Sequence, residues 1–134
     1  MMFKKSSKQL VVEANQKIIT LAIIDAVNNI NRSDVQFIDI REKAEIDERG
    51  TIPGSIHVPR GVLEFVVDPD SPYFNSVFEE PKQFILFCQS AWRSALATLT
   101  LQEMGLQNVS HIEGGYAAWL AANAPIEINK DSHN

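Results

Sequence analysis

Cys88 is the single thiol in a chain of 134 residues, and Arg93 and Ser94 follow it closely. A cysteine is a strong nucleophile as its thiolate, and a fixed guanidinium and a hydroxyl nearby stabilise that anion. Between them lie Gln89, Ser90, Ala91 and Trp92, and the small pair Ser90 and Ala91 lets the backbone curl so that several N–H groups converge on one point. Such a loop holds an anion, or an atom that becomes negative during transfer. The chemistry in view is covalent catalysis by Cys88, with residues 89–94 as the substrate-binding loop. The competing reading is core filler, because free cysteine is among the most buried residue types.

The flanking elements argue for the nucleophile. Phe84, Ile85, Leu86 and Phe87 form an apolar run that reads as a buried strand, and from Ala95 apolar positions recur at helical spacing. Cys88 therefore falls at a strand-to-helix junction. The first N–H groups of a helix have no intrahelical partner and lie at the positive end of its dipole, so a thiol there ionises more easily and an anion binds. Asp39 and Arg41 occupy a comparable place, since Val35, Phe37, Ile38 and Ile40 predict a second buried strand that ends in them. Ligand crevices of parallel α/β sheets lie beyond the carboxyl ends of the strands.

The remaining elements alternate in the same way. Ile18 and Ile19 predict a short edge strand, and Thr20 resembles the N-cap of a helix through Leu21, Ile24, Ala26 and Val27. Residues 41–49 predict a short helix stopped by Gly50. Ser55 to Val58 predicts a strand closed by Pro59, and residues 60–81 a packed excursion with a turn of helix or two. Val109 and Ile112 mark another strand, Gly114 and Gly115 a turn, and Tyr116 to Ala122 a last helix. Tyr116 and Trp119 read as core residues, and His57 and His111 as satisfied core histidines. Trp92 reads as packing or as one wall of the pocket entrance. Strands alternating with helices predict an α/β fold with a mostly parallel central sheet flanked by helices on both faces. The expected organisation is a partly ordered lead-in over 1–15, one domain over 16–128 and a frayed tail over 129–134.

Composition narrows the function. A net charge of −5 argues against a nucleic-acid partner, and Lys4, Lys5 and Lys8 make too thin a cluster for one. One cysteine excludes an intramolecular disulfide and any site built from several thiolates. No apolar run is long enough to span a membrane, and residues 1–9 lack the apolar stretch of a secretory leader, so the expected location is cytoplasmic with no membrane partner.

Four stretches, in order, resemble the single-domain rhodanese family of sulfurtransferases. Residues 37–42 (Phe-Ile-Asp-Ile-Arg-Glu) are similar to the family's apolar strand ending in Asp-x-Arg. Residues 50–59, from Gly50 through Pro53 and Gly54 to Pro59, are similar to its Gly-His-Ile-Pro-Gly-Ala motif, with Thr51 at the usual histidine, a position expected to be structural. Residues 88–94 are similar to its Cys-x-x-Gly-x-Arg-Ser loop, with Ala91 at the usual glycine, and residues 113–119 to its closing Gly-Gly-x-x-x-Trp. If the loop needs φ > 0 at Ala91, alanine strains it by on the order of 1 kcal/mol.

The resemblance implies the three-layer rhodanese-like fold and a two-step reaction without metal or organic cofactor. Cys88 takes the outer sulfur of thiosulfate or a similar small anion as a persulfide, and cyanide, a thiol or a sulfur-relay protein then removes it. It also implies that Asp39 bonds loop backbone and that Arg41 pairs a carboxylate such as Glu45 in support of the site; the competing reading for Arg41 is structural, since ion pairs at strand ends are common. Two other readings share the scaffold: a non-catalytic regulatory or binding module, and a Cys-based phosphatase or arsenate reductase. Cys-based phosphatases have one residue more between cysteine and arginine, to wrap a phosphate. The four residues between Cys88 and Arg93 make a smaller cradle.

Overall fold

The computed structural model describes residues 2–128, so the tail expected over 129–134 lies outside the described residues. Five strands, β1 (Ile19–Leu21), β2 (Val35–Asp39), β3 (Ile56–His57), β4 (Gln83–Phe87) and β5 (Val109–Ile112), form one sheet in the order β1-β5-β4-β2-β3. Every pairing is parallel. Helices α2 (Ile23–Asn28), α3 (Lys43–Arg49), α4 (Leu63–Val67) and α5 (Trp92–Glu103) lie in the crossovers, while α1 (Ser7–Lys17) precedes β1 and α6 (Gly115–Ala121) follows β5. This is the α/β architecture expected from the alternation of elements.

Side-chain parity divides the interior. On β4, Phe84 and Leu86 face one cluster with Ala97 and Leu101 of α5 and Leu63 and Val67 of α4. Ile85 and Phe87 face the other, with Ala26 of α2 and Tyr116 and Trp119 of α6. Cys88 continues the parity of 84 and 86 and belongs to the α5 side. Strand β4 is central and buried on both faces, which explains its uninterrupted apolar run.

Four local expectations are corrected. Where a partly ordered lead-in is expected through Asn15, the chain is helical from Ser7. Ser6 caps this helix by accepting from Gln9 N–H at 3.0 Å, and Ala14 is buried where α1 packs on α5. Thr20 and Leu21 belong to edge strand β1, because pairing with His111 and Ile112 of β5 outweighs the helical signal; α2 starts at Ile23 with Ala22 at the N-cap. Helix α5 begins at Trp92 rather than Ala95. His57, read as a core residue, is exposed at the end of β3, with its Nε2 2.6 Å from the Arg41 carbonyl. The excursion after Pro59 is packed as expected, with two short 3-10 turns around α4 and Leu63, Val67 and Phe78 buried.

Candidate active site

Cys88 lies one residue past β4 and is 1% exposed. Its sulfur is not surrounded by hydrocarbon alone: it accepts from Ser94 N–H at 3.4 Å, and its S–H donates to Ser94 Oγ at 3.6 Å. Among the described residues, none accepts a hydrogen bond from the N–H groups of Gln89, Ser90, Ala91, Trp92 or Arg93. Unpaired donors at the start of a helix can hold an anion.

Carbonyls on the other side of the loop are taken up by α6. Tyr116 N–H donates to the Cys88 carbonyl at 2.8 Å, and Ala117 N–H to that of Gln89 at 3.1 Å. Gly114 and Gly115 both have positive φ, so the chain turns sharply into α6 and its first amides meet the loop. Ala91 has φ +70°, the left-handed region, as the N-cap of α5. The loop therefore carries the strain that alanine brings at the usual glycine position.

Arg93 and Glu45 form a two-pronged pair, Nη1 to Oε1 at 2.8 Å and Nη2 to Oε2 at 2.9 Å. Glu45 also closes the capping box of α3 by accepting from Glu42 N–H at 3.1 Å, which fixes its position. The Arg93 bonds hold the Glu45 carboxyl at about 2, against an ordinary value of 4.5. The Arg93 pKa is raised, first by Glu45 and less by the charge of Cys88. Trp92 is 71% exposed beside this pair in sequence, so it is not a packing residue.

Asp39 and Arg41 are placed differently from expectation. Arg41 is fully buried and pairs with Asp39 rather than Glu45, Nη2 to Oδ2 at 2.8 Å and Nε to Oδ1 at 3.0 Å. Asp39 bonds its own neighbour Arg41 N–H and the Thr51 hydroxyl, not the active loop, so Thr51 is structural as expected. The reason is parity: Arg41 projects to the α6 side, with its guanidinium 4.2 Å from the Tyr116 ring centroid. It reaches the loop only from behind, donating to Gln89 Oε1 at 3.3 Å.

His111 is buried, and its partners are ones that sequence reasoning missed. Its Nδ1 lies 2.8 Å from Ser94 Oγ, and its Nε2 lies 3.0 Å from Asn15 Oδ1 and 3.1 Å from Thr20 Oγ1. Burial lowers its pKa to about 4, so it is neutral near pH 7. Asn15 carries no local sequence signal, and Glu45, expected beside Arg41, carries none for its pairing with Arg93. Both reach the site only through the packing of α3 and α1.

A parallel sheet with a cysteine-led loop between its central strand and the next helix defines an α/β domain with a candidate site at the carboxyl end of β4. The chain belongs to the rhodanese-like domain family, whose pattern matches residues 23–122. It is 34% identical to thiosulfate sulfurtransferase 16, chloroplastic, of Arabidopsis thaliana, a match covering 67% of this chain and 78% of the relative. It is 46% identical to a Rhodopseudomonas palustris protein of unknown function described as a possible tyrosine phosphatase, with a TM-score of 0.91 over 95% of this chain and 98% of that one. The polysulfide-sulfur transferase homodimer of Wolinella succinogenes is 28% identical, with a TM-score of 0.68 over 95% of this chain and 90% of that one. Among curated relatives, the match spans from 22% of the length of one to 95% of another, and 61% of a rhodanese-like domain-containing protein 3 of Mus musculus.

Proposed function

We propose that the protein is a sulfurtransferase that carries one sulfane sulfur on Cys88. The observation that carries this reading is the set of five unpartnered N–H groups, residues 89–93, following a sulfur already held by Ser94 N–H. The Cys88 thiolate attacks the outer sulfur of thiosulfate or a similar anion. A new S–S bond forms at Sγ, the donor's S–S bond breaks, and sulfite leaves with the electron pair. The negative terminal sulfur sits against the loop amides and the positive end of α5. A thiol or cyanide then attacks that sulfur and regenerates the thiolate. Sulfur-transferring relatives of similar length support this reading. The expected location is cytoplasmic; among the described residues, no helix is long and apolar enough to cross a membrane.

The resemblance to a possible tyrosine phosphatase supports a second reading. Against it stand the four-residue spacing from Cys88 to Arg93 and the commitment of both Arg93 Nη atoms to Glu45, which leaves that fork unavailable to a phosphate. Assaying thiocyanate release from thiosulfate and cyanide alongside turnover of an aryl phosphate decides between them. The proposal requires thiocyanate from the parent and none from Cys88→Ser. Phosphate release without thiocyanate would replace it with the phosphatase, and neither product would favour the non-catalytic module.

A further inference from the structure

Asn15 Oδ1 only accepts hydrogen bonds, so in the arrangement observed His111 Nε2 carries the ring proton and Nδ1 is bare. Ser94 O–H then donates to Nδ1, and its Oγ lone pair faces the Cys88 S–H. These three donors, S–H, Ser94 O–H and Nε2–H, point the same way, from sulfur to α1. Thr20 Oγ1, also at Nε2, here gives its one proton to Asn15 Oδ1 at 3.4 Å, and by turning that proton to Nε2 it can donate to the ring instead of accept. With Thr20 donating, Nδ1 carries the proton and donates to Ser94 Oγ, and the Ser94 hydroxyl turns to the sulfur, the direction that a thiolate needs.

We propose that Asn15, Thr20, His111 and Ser94 form a reversible hydrogen-bond relay, with His111 as a positioning residue that aims the Ser94 hydroxyl away from the Cys88 thiol and toward its thiolate. Going from thiol to thiolate, the S–H proton passes to Ser94 Oγ, the Ser94 proton to Nδ1, and the Nε2 proton leaves to bulk water between Asn15 and Thr20, both exposed. One proton is lost and the ring stays neutral throughout, as its burial demands. The groups bonded to the ring, Ser94 from α5, Asn15 from α1 and Thr20 from β1, are all uncharged. Arg93 is the charged group acting on Cys88, and the Asp39–Arg41 pair lies behind Gln89 on the α6 side. Tyr116 of α6 donates its phenol to the Arg49 carbonyl.

The inference deepens the sulfur-carrier reading and rests on Cys88 being its nucleophile, but its test needs no sulfur transfer. The rate of Cys88 alkylation by iodoacetamide is followed against pH by intact mass, and the midpoint gives the thiol ionisation. Thr20→Val removes the donor that serves the thiolate form, and at pH 7 the rate falls about threefold. Asn15→Ala removes the acceptor that serves the thiol form, and the rate rises about threefold. Neither substitution changes the rate in a Ser94→Ala background. Both sites are exposed, so the variants fold. Shifts in the same direction, no shift, or shifts that survive in Ser94→Ala overturn the relay. Absence of thiocyanate from the parent overturns the sulfurtransferase instead, whatever these midpoints do.

Discussion

A Cβ placed on Gly115 would lie 2.5 Å from the Cys88 carbonyl oxygen. The first turn of α6 thus rests directly on the first peptide of the active loop, and Gly115 itself has φ +62°. Gly115→Ala meets both a backbone clash and left-handed strain, and it is expected to cost about 2 kcal/mol or more. Urea unfolding checks the stability, and alkylation of Cys88 checks whether the loop has moved. An unchanged midpoint would show that α6 does not brace the loop.

Ala91 offers the opposite change. At φ +70° an alanine stores strain that glycine lacks, partly offset by glycine's freer unfolded chain. Ala91→Gly is expected to stabilise the protein by about 0.5 to 1 kcal/mol, read as a higher urea midpoint with unchanged slope.

The Arg93–Glu45 pair sets an acid dependence. The folded Glu45 carboxyl titrates at about 2 rather than 4.5, so the stability that the pair contributes is complete above pH 4.5 and is lost as pH falls toward 2. Its side chains are 31% and 39% exposed, so the contribution is about 0.5 to 1 kcal/mol. Glu45→Gln is expected to melt lower than the parent at pH 7 and to converge with it near pH 2.

Buried Arg41 makes a harsher test. Arg41→Ala leaves the Asp39 carboxyl, at 1% exposure, without its ion-pair partner and frees the Gly50 carbonyl and Gln89 side chain that Arg41 now holds. The expected loss is about 3 to 5 kcal/mol by urea unfolding. A loss of activity without a comparable loss of stability would give Arg41 a direct role with substrate.

The parallel sheet and the cysteine loop were legible because their signals are local. Phe84 to Phe87 is apolar on both parities, as a central strand must be, and the polar stretch after Cys88 opens a helix. The sequence does not signal α1 because that helix is polar over most of its surface and buries only Ala14 fully, so its helicity depends on docking against α5. Arg41 pairs with Asp39 and not with Glu45 for a similar reason. Sequence places Glu45 close to Arg41, but the turn after β2 sends Arg41 to the α6 side and leaves Glu45 for Arg93, 48 residues away. The Asn15–His111 contact spans 96 residues and has no local trace.

Intact mass after incubation with thiosulfate tests the central claim most directly, because Cys88 is the only thiol that could hold the product. The account predicts a gain of one sulfur atom on the parent, absent from Cys88→Ser and removed by cyanide. A parent mass that stays unchanged, or a gain that persists in Cys88→Ser, would contradict it.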